Sequence, residues 1–200
     1  MFLFRAKCRT YVVSVLPMSY AVLCIMQHVL LEPQQLIAMV DYPPLHSPEA
    51  LRSYFEKHKV GAEVEPVVVV PVDIAKNYFL QRKDRYGTYR DKLDVFLSDH
   101  PAAQYFMLGG KHRSAAATII GAKISCLVVE NEADVVEAHT LMAKGKLTGV
   151  PSVGETFDDT LRELEEHFFE HKRFWTMDEK TEVMIKNKDI PDDMLRARQK

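Results

Sequence analysis

The stretch YFMLGGKHRSAAATIIGAKISCLVVE, residues 105–130, decides the fold of this chain. It opens on an apolar strand (105–108), turns through Gly109 and Gly110, and enters an alanine-rich helix that Gly121 closes as a C-cap. The apolar run ISCLVVE (124–130) follows as a further strand. Strand, tight turn, helix and strand in that order belong to an α/β fold. The charge in the turn is unusual. Lys111, His112 and Arg113 stand at the start of a helix, where unpaired amides and the macrodipole already carry partial positive charge. Cations there are destabilising by tenths of a kcal/mol up to about 1 kcal/mol, so the arrangement makes sense when an anion completes it. Gly109 and Gly110 allow close approach to the backbone, while the bases neutralise phosphate charge. The competing reading is a tight turn whose basic side chains point into water, and local spacing alone does not choose between the two. The motif is not a P-loop. The first glycine of Gly-x-x-x-x-Gly-Lys is missing, and His112 replaces the hydroxyl residue that would bind magnesium.

Working outward, PVVVVPV (66–72) is a continuous β-branched run, the pattern of a strand buried on both faces. Ser47, Pro48 and Glu49 supply an N-cap, a proline at the first helical position and an acid in the first turn, which predicts a helix over 48–58 ended by Gly61. HVLL (28–31) reads as a short strand, followed by a turn at Glu32-Pro33 and the proline-rich connector DYPPLHSP. Residues 73–100 form a long excursion, helical over 88–97 and irregular around Gly87. A helix is predicted over 132–145. Beyond a linker marked by Pro151 and Gly154, Phe157, Leu161, Leu164 and Phe168 make a one-sided helical stripe. Another capped helix and a short one follow. The predicted fold is α/β (α+β), a small mixed sheet with packed helices and a C-terminal helical extension. Its parts are an N-terminal extension (1–25), a domain (26–150) and the helical extension (151–200).

Composition sets outer bounds. The 200 residues are 47% hydrophobic and 27% charged, which describes a globular domain able to bury a core and excludes fibrous, collagen-like and disordered classes. The 26 lysines and arginines nearly balance 28 acids, so any contact with nucleic acid must come from a local patch. Cys8, Cys24 and Cys126 are odd in number and form no Cys-x-x-Cys pair, which suits a reducing, cytoplasmic setting and argues against zinc or a disulfide framework. Cys126, in an apolar run, is expected to be a small buried hydrophobe. Arg5, Lys7 and Arg9 precede an uncharged run over 11–31, just long enough for a bilayer. An anchor, a cleaved signal and a dispensable extension all compete for it. Polar residues and Pro17 dilute the run and no clear cleavage site follows, so the extension is the favoured reading and no membrane partner is expected.

The order of a strand and connector, the 48–58 helix, the valine-rich strand and the LGGKHRSAAATIIGAKISCLVVE box resembles the ParB/sulfiredoxin superfamily over about residues 28–145. The box looks like that family's Gly-x-x-Arg box. The resemblance implies nucleotide binding, ATP in sulfiredoxins and CTP in ParB clamps, with Gly109, Gly110, Lys111, His112 and Arg113 on the phosphates and Ser53 as a weaker candidate. The expected ligand is a nucleoside di- or triphosphate, ATP, ADP or CTP, with Mg2+. Several positions depart from the family. Lys111 stands where sulfiredoxins carry their reactive cysteine, and Gly109 where free-serine kinases carry an aspartate. No second phosphate box or helix-turn-helix domain is evident, so the chain resembles a divergent, single-domain member. Two functional readings result. One is a nucleotide-binding module, a candidate DNA-associated switch and a candidate homodimer. The other is a small-molecule phosphotransferase or nucleotide hydrolase, with His112 or a carboxylate as base; Glu32, Asp41 and Asp73 are the upstream acids to place.

Other constellations have plainer readings. Arg82, Lys83, Arg85 and Tyr86, with Tyr89 beyond them, interleave bases and aromatics as a nucleic-acid contact or a nucleotide lid would, or as an ordinary solvated loop would. His167 and His171 match His-x-x-Glu-His, but a third ligand is not fixed and the helix has a packing stripe, so no metal site is assigned. Asp158, Asp159, Glu163, Glu165 and Glu166 read as a solvated acidic face. His139 reads as a structural histidine.

Overall fold

The computed structural model describes residues 26–39, 47–81, 87–150, 152–171 and 173–198. The 1–25 segment, Asp41, and the bases and tyrosine Arg82, Lys83, Arg85 and Tyr86 lie outside the described residues, as does the side chain of Tyr89. The strands are β1 (Gln27–Leu31), β2 (Leu36–Ile37), β3 (Val67–Pro71), β4 (Tyr105–Met107) and β5 (Ile124–Val128). The helices are α1 (Pro48–Lys59), α2 (Val72–Gln81), α3 (Gly87–Asp99), α4 (Lys111–Ile120), α5 (Glu132–Ala143), α6 (Phe157–His171), α7 (Met177–Lys186) and α8 (Asp192–Arg198).

The five strands form one mixed sheet in the order β1-β5-β3-β4-β2. β3 pairs parallel with β5 and antiparallel with β4, while β2 pairs parallel with β4 through Leu36↔Tyr105 and Ile37↔Phe106. β3 takes the centre for the reason its valines suggest, since a strand with no polar side chain must be covered on both faces. Successive side chains point to opposite faces, and the two cores follow that alternation. Val68, Val70 and Phe106 meet α2, α3, α5 and α6 on one face. Val67, Val69 and Met107 meet α1, α4, α7 and α8 on the other. The result is a three-layer α/β/α arrangement.

Two elements depart from expectation. The 73–100 excursion begins as helix α2 immediately after β3, where the valine run and prolines mask the start of a helix. β2 is only two residues long and gives no periodicity to detect. Residues 152–198 pack into both cores: Leu161, Leu164 and Phe168 on one face, Met177, Met184 and Met194 on the other. Phe168, fully buried, stacks on Phe174 at 5.1 Å and tilts against Phe106 at 5.1 Å. The chain also returns to the edge of the sheet, where Ile37 bridges Thr176 and the Ala38 amide donates to the Trp175 carbonyl at 3.0 Å.

Shared cores imply shared cooperativity. Phe168→Ala is expected to cost about 3–5 kcal/mol and to lower the midpoint of a single urea transition for the whole chain. A biphasic curve in which only the smaller step moves would show instead that the C-terminal helices unfold separately.

Candidate functional site

The turn between β4 and α4 is shaped by close backbone contacts. The Leu108 amide donates to the Val68 carbonyl at 2.9 Å, and the chain then bends away from the sheet. Gly110 has φ 78, a left-handed conformation that glycine adopts without strain, and it N-caps α4 without a side-chain hydrogen bond. Its amide donates to the Gly149 carbonyl at 3.3 Å. A Cβ on Gly109 would lie 2.5 Å from the Gly149 oxygen and 3.1 Å from Val150 Cα. At Gly110 it would lie 2.9 Å from Val67 Cγ2. The glycines therefore admit a neighbouring loop of this same chain, a constraint additional to the ligand approach that the sequence suggests.

Arg113 is the anchor of that arrangement. It is 3% exposed, with Nη1 donating to Glu65 Oε2 at 3.1 Å and Nη2 donating to the Thr148 carbonyl at 2.6 Å. The Thr148 hydroxyl donates to the same Glu65 oxygen at 2.7 Å. Burial lowers the pKa of the guanidinium while Tyr54 and Glu65 act in the opposite sense, and an arginine stays cationic throughout. The sequence assigns Arg113 to a phosphate. The structure places it in the wall of the same cavity, but with its charge already engaged by Glu65.

His112 joins two helix starts. Its Nε2 accepts the Ser47 amide at 3.3 Å, and the Ser47 hydroxyl in turn accepts from the Ala50 amide at 3.1 Å as the N-cap of α1. An acceptor Nε2 is an unprotonated one. Ser53 is exposed on α1 and does not line the cavity; its neighbour Tyr54 does.

The cavity measures about 480 Å³, within the size range of small-molecule sites. It opens at the carboxyl ends of the parallel pair β2 and β4, the place where α/β sheets commonly receive ligands. Ala38 and Met39 follow β2 into it, and Met107 and Leu108 lead from β4 into Gly109, Gly110, Lys111, His112 and Arg113, all of which line it. Thr148, Gly149 and Ser152 close one side. The C-terminal helices supply the rest: His167 from α6, Met177 and Lys180 from α7. The Ser114 hydroxyl donates to Met177 Sδ at 3.3 Å, which holds α7 against the first turns of α4. Lys180 is 2% exposed and its Nζ donates to the Met39 carbonyl. Sequence reasoning missed it, although a signal was available. Met177, Lys180, Thr181 and Met184 share one helical stripe, and a lysine on an otherwise buried stripe is out of place in a plain packing helix.

Among the described residues no carboxylate lines this cavity. Glu32 pairs with Lys123 at 3.0 Å, and Asp73 is exposed on α2. On α6, Glu165 is fully buried, which corrects the expectation of a wholly solvated acidic face, and it too lies outside the lining. The rings of His167 and His171 are 4.7 Å apart, and among the described residues no group of three or more His, Cys, Asp or Glu side chains is placed to hold a metal ion. His139 Nε2 bonds the Gly154 carbonyl at 2.7 Å, a structural role. Cys126 is fully buried, its thiol pushed up to about 12 by burial. Among the described residues no helix is long and apolar enough to cross a membrane. Comparison with protein-family models, with curated proteins and with solved structures finds no match.

Two predictions test this geometry. Gly109→Ala drives a methyl into backbone rather than into a flexible side chain, so it is expected to destabilise the protein by about 1–3 kcal/mol in urea titrations; an unchanged midpoint would mean that the 148–150 loop is not held as described. The second concerns His58, which lines a smaller cavity of about 100 Å³ on the far side of Arg113. Its buried Nε2 has no hydrogen-bond partner among the described residues, and burial lowers its pKa, opposed by a hydrogen bond to the Arg113 backbone. The folded state thus favours the neutral ring. Its contribution is fully present above the unfolded value of about 6.5 and is lost as pH falls through that value toward the lower folded one. Wild type is expected to lose more stability than His58→Gln between about pH 7.5 and 5; parallel pH profiles would refute the assignment.

Proposed function

We propose that this protein binds a nucleoside di- or triphosphate, with the phosphates seated on the 109–113 turn. One observation carries the reading: the five residues of the turn line a single cavity whose wall holds Lys111, Arg113 and Lys180 and, among the described residues, no carboxylate. The first amides of a helix have no intrahelical acceptor and favour an anion, and Lys111 adds a full charge at the same place. Arg113 shapes the turn through Glu65 and Thr148 and contributes its field from behind. Tyr54, Met39 and Met177 offer an apolar flank to a base or ribose. Magnesium, when it accompanies the ligand, would be held by the phosphates themselves. The ligands to test are ATP, ADP and CTP, which is what the ParB/sulfiredoxin resemblance implies, and a cytoplasmic setting belongs to the same proposal.

Binding is favoured over turnover by His112, the candidate base of a phosphotransferase or hydrolase, because its Nε2 is engaged as the acceptor of the Ser47 amide. Sulfinic-acid reduction has no support either, since Cys126 lies on β5, outside the cavity lining. A DNA-associated switch through Arg82, Lys83, Arg85 and Tyr86, and a homodimer, rest on the sequence alone.

The test is thermal shift and calorimetry of the full chain with ATP, ADP and CTP in magnesium. A bound nucleotide raises the midpoint by mass action, about 2.7 kcal/mol at a hundredfold excess over Kd. Lys111→Met is expected to weaken binding by about tenfold or more, and Ser53→Ala to leave it unchanged. No stabilisation by any of the three nucleotides would sink the proposal; phosphate release seen by phosphorus NMR would restore the enzymatic reading.

A further inference from the structure

Lys180 is a cation that the 109–113 turn does not explain. An ammonium group is expensive to bury and is seldom buried without a purpose. Here it belongs to the C-terminal segment, outside the span that resembles any nucleotide-binding box, yet it reaches the wall of the same cavity. Its helix is firmly placed. The Thr176 hydroxyl and the Glu179 carboxylate cap α7 reciprocally, Thr176 bridges Ile37, and Met177 accepts from Ser114.

The position of Nζ follows from its bond to the Met39 carbonyl. β2 and β4 run parallel, with Ile37 opposite Phe106. Beyond that pair the two chains part, and Met39 and Leu108 both line the cavity between them. The Lys180 ammonium therefore belongs to the wall of the cavity that the Gly109-Gly110 turn also lines, on a different element from Lys111. Two cationic poles on separate elements, in a wall without carboxylates among the described residues, suit two linked anionic groups better than one.

We propose that Lys180 is a ligand-binding residue, the second cationic arm of the cavity, and that the site selects a ligand with two linked phosphate groups over one with a single phosphate. The inference rests on the phosphate-binding reading above. Lys180 donates to the second phosphate as a point charge with three N–H groups, a geometry that suits phosphate oxygens in varied orientations. The C-terminal helices thereby determine ligand class as well as packing.

The experiment is calorimetry of the full chain with pyrophosphate against orthophosphate, and with ADP against AMP, for wild type and Lys180→Met. Wild type is expected to prefer the diphosphate member of each pair by about tenfold or more. Lys180→Met is expected to bring both ratios close to one, with the larger loss falling on the diphosphate member of each pair. Where Lys180→Met does not fold, Lys180→Gln, which retains a donor for the Met39 carbonyl, carries the same expectation. A wild type that binds mono- and diphosphates equally, or a neutral variant that keeps the preference, overturns this inference and leaves phosphate binding standing. A wild type that binds none of the four ligands overturns both.

Discussion

The guanidinium of Arg113 holds the site together. It reaches from α4 to Glu65 ahead of β3 and to the Thr148 carbonyl beyond α5, so one buried cation fixes three segments distant in sequence. Arg113 is buried while Glu65 keeps 31% of its side chain exposed, so losing the carboxylate strands a buried cation and is the costlier of the two removals. The Thr148 hydroxyl on Glu65 completes the clamp, and the clamp sets the loop whose Gly149 oxygen presses on Gly109. The left-handed Gly110 and the exit direction of α4 depend on that contact. A binding turn has to be rigid before a ligand arrives, and the buried guanidinium paired with Glu65 behind this one would hold it so. With Arg113 so occupied, Lys111 and the first amides of α4 are the groups best placed to meet an anion.

The sheet explains why the cavity lies where it does. β2 and β4 run parallel and end together, so their following residues, Ala38-Met39 and Leu108-Gly109, diverge around a common space. The alanines of α4 keep that helix close to the sheet and to α1, with Ala115, Ala116 and Ala117 all buried. Opposite them, α7 closes the space. The C-terminal helices therefore complete both cores and one wall of the cavity.

What the sequence made legible was local. The valine run, the Ser47-Pro48 cap and the Gly121 C-cap each carry their signal within a few residues, and β3, α1 and α4 appear where those signals place them. The 109–113 turn was legible for the same reason, as glycines and bases packed into one junction. Lys180, His167 and the Glu65 partner of Arg113 were not. Lys180 and His167 come to the cavity from 54 or more residues downstream of the turn, and Glu65 comes to Arg113 behind it from 44 or more upstream, differences read directly from their numbers. No local pattern encodes which helix folds over which strand. β2 was missed because two residues cannot show a period, and α2 because it begins where the strand ends. Ser53 shows the opposite limit: α1 was placed correctly, but one residue along a helix turns a side chain by about 100°, and Tyr54 is the one that faces the cavity.

The cost of this arrangement argues for its use. A helix start with Lys111, Arg113 and Lys180 in the wall of its cavity concentrates positive potential where a helix already has it. Glu65 compensates the arginine from behind, and no carboxylate among the described residues faces the cavity itself. His112 adds a linkage. While its Nε2 accepts from Ser47, the ring is held neutral at that nitrogen and the start of α1 is tied to the start of α4. The start of α1 and the start of α4 are in this way joined by a side chain of the 109–113 turn, in addition to the packing of Leu51 and Phe55 in the core that the alanines of α4 share.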